Sequence, residues 1–239
     1  MARIRLFIDH PLVAGQAVPL DSGQAHYLSG VMRLPPGAVI EVFNGQDGAW
    51  SARIADATKR GGSLEVLAQV APQRDPPDLW LCFAPIKKAR TDFIVEKAAE
   101  MGAARILPVQ TDFTNSERIR QDRLQAHAVE AAEQCGGTFV PAVADLVSLS
   151  RLLDGWDASR RILWADEAMA GPAETLANLP RGPWAILIGP EGGFSDAERA
   201  RLSGLPFVSR ISLGPRILRA DTAAVAALAL WQAALGDWQ

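Results

Sequence analysis

Apolar and polar residues follow two different rhythms along this chain. Over residues 1–71 the rhythm is short and alternating. Arg3 to Ile8 alternates polar with apolar side chains, the pattern of a half-buried strand. Ala38 to Phe43, Ala49 to Ala55 and Ser63 to Val70 read as further strands. Turn residues separate them at Pro35-Pro36-Gly37, Asn44-Gly45 and Gly61-Gly62, and one short helix is expected around Gln24 to Met32. Residues 1–71 therefore predict a small β-barrel-like module. The proline-rich stretch over residues 72–78 continues neither a sheet nor a helix and reads as a linker. Beyond it strands and helices alternate. Leu79 to Ala84, Arg105 to Val109 and Arg161 to Ala165 are strand-like. Thr91 to Met101, Ile119 to Gln134 and a short stretch around Glu174 to Leu179 are helical. The apolar run Trp184 to Ile188 and the strand-like Phe207 to Leu213 each lead into a helix, the last spanning Thr222 to Leu235. This alternation predicts an α/β domain over residues 79–239, with a mainly parallel sheet covered on both faces.

Composition narrows the class. Apolar residues are 49% of the 239 and charged residues 21%, a balance that fills a core and argues against disorder. A net charge of −3 carries no general nucleic-acid signal, although local basic patches survive such averaging. Cys82 and Cys135 are far apart and match no metal spacing, so both read as buried free thiols in a reducing, cytoplasmic setting. His10, His26 and His127 are scattered, which predicts no metal site and no triad, and no G-x-S-x-G elbow supports nucleophilic hydrolysis. The N-terminus lacks the apolar run of a signal peptide. No segment reaches the roughly 18 apolar residues of a membrane span. The Ala-rich final helix reads as buried or subunit-facing.

The candidate chemistry lies at strand ends. The Trp184 strand stops in Gly189-Pro190-Glu191-Gly192-Gly193, after which Ser195 and Glu198 open a helix as a capping box. A strand ending in a Gly-rich loop before a helix is where open α/β sheets bind ligands, yet the loop is neither a P-loop nor a dinucleotide fingerprint. Spacing alone leaves a ligand loop and a plain tight turn equally open. After the next strand comes Leu213-Gly214-Pro215-Arg216-Ile217-Leu218-Arg219, whose arginines beside a glycine turn suit an anion. Asp221 or Thr222 is placed to cap the last helix. Lys87-Lys88-Ala89-Arg90 sets cations at another strand end, suited to a polyanion or simply to solvent. Glu130 and Glu133 share one helix face.

Taken in order, these segments resemble the RsmE family, the 16S rRNA uridine-1498 N3-methyltransferases of the SPOUT superfamily. His26-Tyr27-Leu28 with Val31-Met32-Arg33 resembles the family's H-x-x-x-V-L-R stretch, and Lys88 to Gly102 resembles its K-A-x-E-L-G segment. Asn115-Ser116-Glu117-Arg118 stands at the family's Ser/Arg-containing loop. Glu130 to Gly136, followed by Val140-Pro141, resembles E-A-x-E-Q-S/C-G. Ile188 to Ser195 matches I-G-P-E-G-G-F-S in full, and Leu213 to Ala223 resembles L-G-x-R-I-L-R-T-E-T-A. The chain departs from the pattern at Ala220-Asp221, where the family usually has Thr-Glu, and at Gly137, often arginine.

The resemblance implies a PUA-like RNA-binding barrel before a SPOUT methyltransferase domain with a deep C-terminal trefoil knot. It implies S-adenosylmethionine as cofactor, homodimers, and 16S rRNA in the 30S subunit as substrate, with no metal and no membrane. Another RNA nucleotide, or a non-catalytic RNA-binding assembly factor, remains the alternative reading. The cofactor candidates are Leu187, Gly189, Pro190, Glu191, Gly192, Gly193, Leu213, Gly214, Ile217 and Leu218. Arg219 is the candidate for stabilising the uridine anion or gripping a phosphate, and Asp221 for the general base. Arg3, Arg5, Arg33, Lys87, Lys88, Arg90 and Arg118 are the RNA-phosphate candidates.

Overall fold

The structure, a computed structural model, describes residues 4–58, 61–115, 118–166 and 176–238. The chain divides into two compact units, one of Met1–Asp75 with Ala132–Val140 and one of Pro76–Ala131 with Pro141–Gln239. The assignment of Ala132–Val140 to the first unit has no counterpart in the sequence reading.

The first unit holds β1 (Arg5–Phe7), β2 (Ala17–Leu20), α1 (Ser22–His26), β3 (Val39–Phe43), β4 (Ala49–Thr58) and β5 (Gly61–Ala71). The sheet order is β1-β3-β4-β5-β2, with β1 parallel to β3 and the other pairs antiparallel. Alternation buries Leu6, Ile40, Val42, Ala52, Ile54, Leu64 and Val66 in one core with Ala25 and Leu28. The short strand β2 escapes a pattern search because Pro19 interrupts it. It lies at the sheet edge, where a missing N–H is tolerated. Gly61-Gly62, read from sequence as a turn, opens β5 instead. The expected helix around Gln24 to Met32 is α1, started by an Asp21–Gln24 capping box and continued by a π-helical turn over Tyr27–Val31.

The second unit holds β6 (Leu79–Phe83), α2 (Lys88–Glu100), β7 (Arg105–Gln110), most of α3 (Gln121–Cys135), β8 (Ala142–Val143), β9 (Val147–Ser148) and α4 (Leu149–Asp154). Then follow β10 (Arg161–Ala165), β11 (Trp184–Ile188), α5 (Asp196–Ser203), β12 (Val208–Ile211) and α6 (Ala220–Leu235). The strand order is β12-β10-β11-β6-β7-β8, with β9 also on β7, and every pair is parallel. All five residues of β11 are buried, as a central parallel strand requires. The two-residue strands β8 and β9 and the short α4 are below the length at which periodicity reads. Of the helix expected around Glu174 to Leu179, Leu176–Asn178 is a 3₁₀ turn, and Glu174 and Thr175 lie outside the described residues. Helix α6 packs on α2 and β11. Its buried Gln232 is satisfied, its amide donating to the Met101 carbonyl at 2.6 Å and its oxygen accepting from Asp237 N–H at 3.2 Å. Cys82 is buried, but Cys135 is exposed, against the sequence expectation. Among the described residues no helix is long and apolar enough to cross a membrane.

Candidate active site

Strand register sets the site. Ala165 of β10 pairs with Ile188 of β11 on one side and Ile211 of β12 on the other. The next residues, Asp166, Gly189 and Ser212, therefore stand side by side where three parallel strands end. That rim is where open parallel sheets bind ligands. A cavity opens over it. Its walls are Gly189, Pro190, Glu191 and Gly193 on one side and Leu213, Gly214, Ile217 and Leu218 on the other, with Ala220 and Ala223 of α6 behind. The two glycine loops singled out in the sequence are thus two walls of one pocket, and the plain tight turn is set aside.

The remaining candidates fall nearby but not on the lining. Leu187 points into the sheet core with Trp164 and Phe194. Gly192 lies outside the pocket, where an added Cβ would sit 3.1 Å from that of Phe113. Gly193 and Gly214 take φ of 69° and 107°, a region that side chains resist. At Gly189 the constraint is steric, since a Cβ would lie 2.6 Å from the Phe194 ring. The expected capping box forms: Ser195 Oγ accepts from Glu198 N–H at 3.3 Å, and Glu198 accepts from Ser195 N–H at 2.9 Å. Glu198 also accepts from Asp112 N–H at 3.0 Å, which fastens the loop after β7 to the start of α5.

Among the lining residues that the sequence reading did not single out, Asp166 carries a charge. Asp166 is 2% exposed, lines the cavity, and is paired through one oxygen with Arg199 of α5 and through the other with Arg210 of β12. Arg199 also donates to the Phe194 carbonyl at 3.1 Å, and both guanidiniums face Trp164. One carboxylate thereby ties together three elements of the pocket. The available signal was a single acid directly after an apolar strand.

Arg219 is the exposed N-cap residue of α6, with no side-chain cap. Asp221 does not cap the helix as expected. It lies one residue inside, its carboxylate accepting from Thr222 N–H at 2.9 Å and facing Arg90 Nε at 3.7 Å. Arg90 also donates to Glu191 at 3.2 Å. Arg90, one of the phosphate candidates, thus links the first pocket loop to the start of α6.

The other cations divide. Arg33, Lys87, Lys88 and Arg118 are exposed, and Arg33 holds the left-handed backbone at φ 52°. Arg3 lies outside the described residues, as do Ser116 and Glu117 of the Asn115–Arg118 loop. Arg5 is not placed for phosphate. Its side chain is 9% exposed, pairs with Glu41 at 2.7 Å, and donates to the carbonyls of Ala132 at 2.9 Å, Glu133 at 3.3 Å and Gly137 at 2.8 Å. It satisfies orphan carbonyls at the end of α3. Glu133 accepts from Phe7 N–H at 2.8 Å, whereas Glu130 faces His127 at 3.9 Å, so the two glutamates serve different neighbours.

The pocket can be set beside known proteins. The RNA methyltransferase domain family is matched over residues 73–232, and the RNA methyltransferase PUA domain over residues 20–67. The chain belongs to the ribosomal RNA small subunit methyltransferase E family. It is 29% identical over 229 residues to the enzyme of that name from Rickettsia conorii, covering 94% of this chain and 93% of that one. The crystal structure of the Neisseria gonorrhoeae member, bound to S-adenosyl methionine, superposes with a TM-score of 0.90 at 28% identity and full coverage of both chains. A Legionella pneumophila methyltransferase with bound SAM gives 0.89 at 29% identity, over 99% of this chain and 100% of that one. The fold is accordingly an RNA methyltransferase domain preceded by an RNA methyltransferase PUA domain.

Proposed function

We propose that this protein methylates N3 of uridine 1498 in 16S rRNA, giving 3-methyluridine. The substrate is the 30S particle, and the enzyme works as a cytoplasmic homodimer. The broader class, an S-adenosylmethionine-dependent rRNA methyltransferase, follows from family membership. Residues 1–71 serve as the RNA-binding PUA-like module and residues 79–239 as the methyltransferase domain, joined by residues 72–78. The observation that carries the reading is the single pocket built from both glycine loops.

The lining fits this cofactor. Ile188, Leu213, Ile217 and Leu218 offer apolar surface for an adenine, and the glycine backbone lets polar main-chain groups approach a ribose and an amino acid closely. Gly189, Pro190, Glu191, Gly193, Leu213, Gly214, Ile217 and Leu218 would hold it, while Leu187 and Gly192 shape the loop from behind. When bound, S-adenosylmethionine supplies an electrophilic methyl group on a sulfonium. The chain must position N3 of the base, accept its proton, and stabilise the negative charge that spreads over N3 and the adjoining carbonyls. Asp221, on the first turn of α6 beside Arg90, is the proposed acceptor of the proton. Arg219, exposed at the start of that helix, is the proposed partner of the anion or of an RNA phosphate. Arg33, Lys87, Lys88 and Arg118 are the proposed phosphate contacts. Arg5 and Arg90 are withdrawn from that group, because each is held in ion pairs within the fold.

Mass spectrometry of 16S rRNA from a deletion strain, with and without a plasmid copy, tests the position: 3-methyluridine at 1498 should vanish and return. Retention of the mark in the deletion strain would refute the proposal. Arg219→Ala should abolish methyl transfer with an unchanged melting temperature.

A further inference from the structure

A second cavity adjoins the cofactor pocket along the same sheet rim. Ile188 of β11 pairs with Phe83 of β6, and Phe83 with Pro108 of β7. The segments that follow these strands, Ala84 to Lys88 and Thr111 to Asn115, therefore continue the rim past the Gly189 loop. Pro190 and Glu191 line both cavities and form the wall between them. Pro85, Ile86, Lys87, Lys88 and Asn115 complete the second one. Ile86 and Lys88 are shared in turn with a third hollow that carries Arg118, Arg120 and Arg123. Three adjoining cavities thus run from the glycine loops to a cluster of arginines.

The chemistry changes along this series. The second cavity pairs buried apolar surface, Pro85 and Ile86, with an exposed amide and two exposed lysines. Flat apolar surface suits the face of a base, and a primary amide suits the carbonyls of a pyrimidine imide. The third hollow suits phosphates. Arg120 pairs with Asp122 at 2.6 Å and Arg123 with Asp92, so acids temper the positive charge there.

Resting on the function proposed above, we propose that the second cavity receives the target uracil, that Asn115 reads it by donating from Nδ2 to a carbonyl next to N3, and that Lys88 grips the adjoining phosphate. Pro190 and Glu191 then border both base and cofactor. The Asn115 bond strengthens as N3 loses its proton, because the negative charge moves onto the carbonyl oxygens. Asn115 is thereby a catalytic residue, and Lys88 a contact to the strand.

The test uses the full-length protein on 30S particles lacking the modification, with 3-methyluridine read by mass spectrometry and S-adenosylmethionine affinity by calorimetry. Asn115→Ala should lower kcat/KM for the particle by ~10²-fold with cofactor affinity within ~2-fold of wild type, and Asn115→Gln should recover part of the loss. Lys88→Ala should raise KM, leave kcat near wild type, and flatten the salt dependence. If the wild type forms 3-methyluridine and both alanine variants keep kcat/KM within ~2-fold, the cavity assignment falls and the proposed function stands. If Asn115→Ala loses cofactor affinity in step with turnover, the cavity belongs to the cofactor and the inference also falls. A wild type that methylates a different nucleotide overturns the function instead. The same variants on that nucleotide then decide the cavity. Both fall if the wild type transfers no methyl group to RNA.

Discussion

Gly189→Ala isolates the steric design of the cofactor loop. Its backbone lies outside the left-handed region, so the substitution adds a methyl group without φ strain. That Cβ would sit 2.6 Å from Phe194 Cε2 and 3.1 Å from Cδ2 and Cζ, well inside ordinary van der Waals contact. The ring cannot retreat. Phe194 is 4% exposed and packs edge-on against the buried Trp164, with centroids 5.5 Å apart and planes at 83°. Overpacking of this kind costs about 1–3 kcal/mol. For a chain of this size each kcal/mol lowers Tm by about 2–4 °C. The loop must also shift, so cofactor affinity should fall ~10-fold, or ~1.4 kcal/mol. Thermal denaturation and calorimetry measure both effects. Adding Phe194→Leu should restore part of each loss, with a coupling of ~1 kcal/mol or more in a double-mutant cycle. Wild-type Tm and affinity in Gly189→Ala, or strict additivity in the double mutant, would refute the reasoning.

Three further perturbations follow from particular contacts. Asp166→Asn leaves Arg199 and Arg210 without their shared carboxylate. It should cost about 2–3 kcal/mol, below the fully buried case because Arg210 is 41% exposed, and weaken cofactor binding; unchanged denaturation would count against it. Arg5→Ala strips the end of α3 and removes the ion pair to Glu41, so Tm should fall while the KM for RNA below the transition stays constant. The reverse result would return Arg5 to the phosphate contacts. Burial pushes the Cys82 thiol from 9.0 up to about 12. A thiol reagent near pH 8 should therefore modify Cys135 quickly and Cys82 only on unfolding. The folded state holds this proton more tightly than the unfolded state does. The associated stability is therefore complete below pH 9 and is lost as pH rises from there through about 12, which alkaline denaturation of a Cys82→Ala variant would expose.

The alternation of strands and helices, the positions of both glycine loops, the Ser195–Glu198 capping box and the family were all legible in the order of residues. Each is a local signal: a run of apolar residues, a glycine after it, a cap three residues before its partner. Trp184–Ile188 and Arg161–Ala165 were legible to the residue because each apolar run stops sharply, at Gly189 and at Asp166. Which strands are neighbours came from the fold, and with it the rim that Asp166, Gly189 and Ser212 share although they are far apart in the chain. The fold also decided what the charges do. Arg5 and Arg90 looked like free cations because a guanidinium's partner is set by packing rather than by spacing, and each is engaged by groups from distant segments. Asp221 shifted from helix cap to ion-pair partner for the same reason. Local preference placed it near the start of α6, and only the fold brought Arg90 within reach.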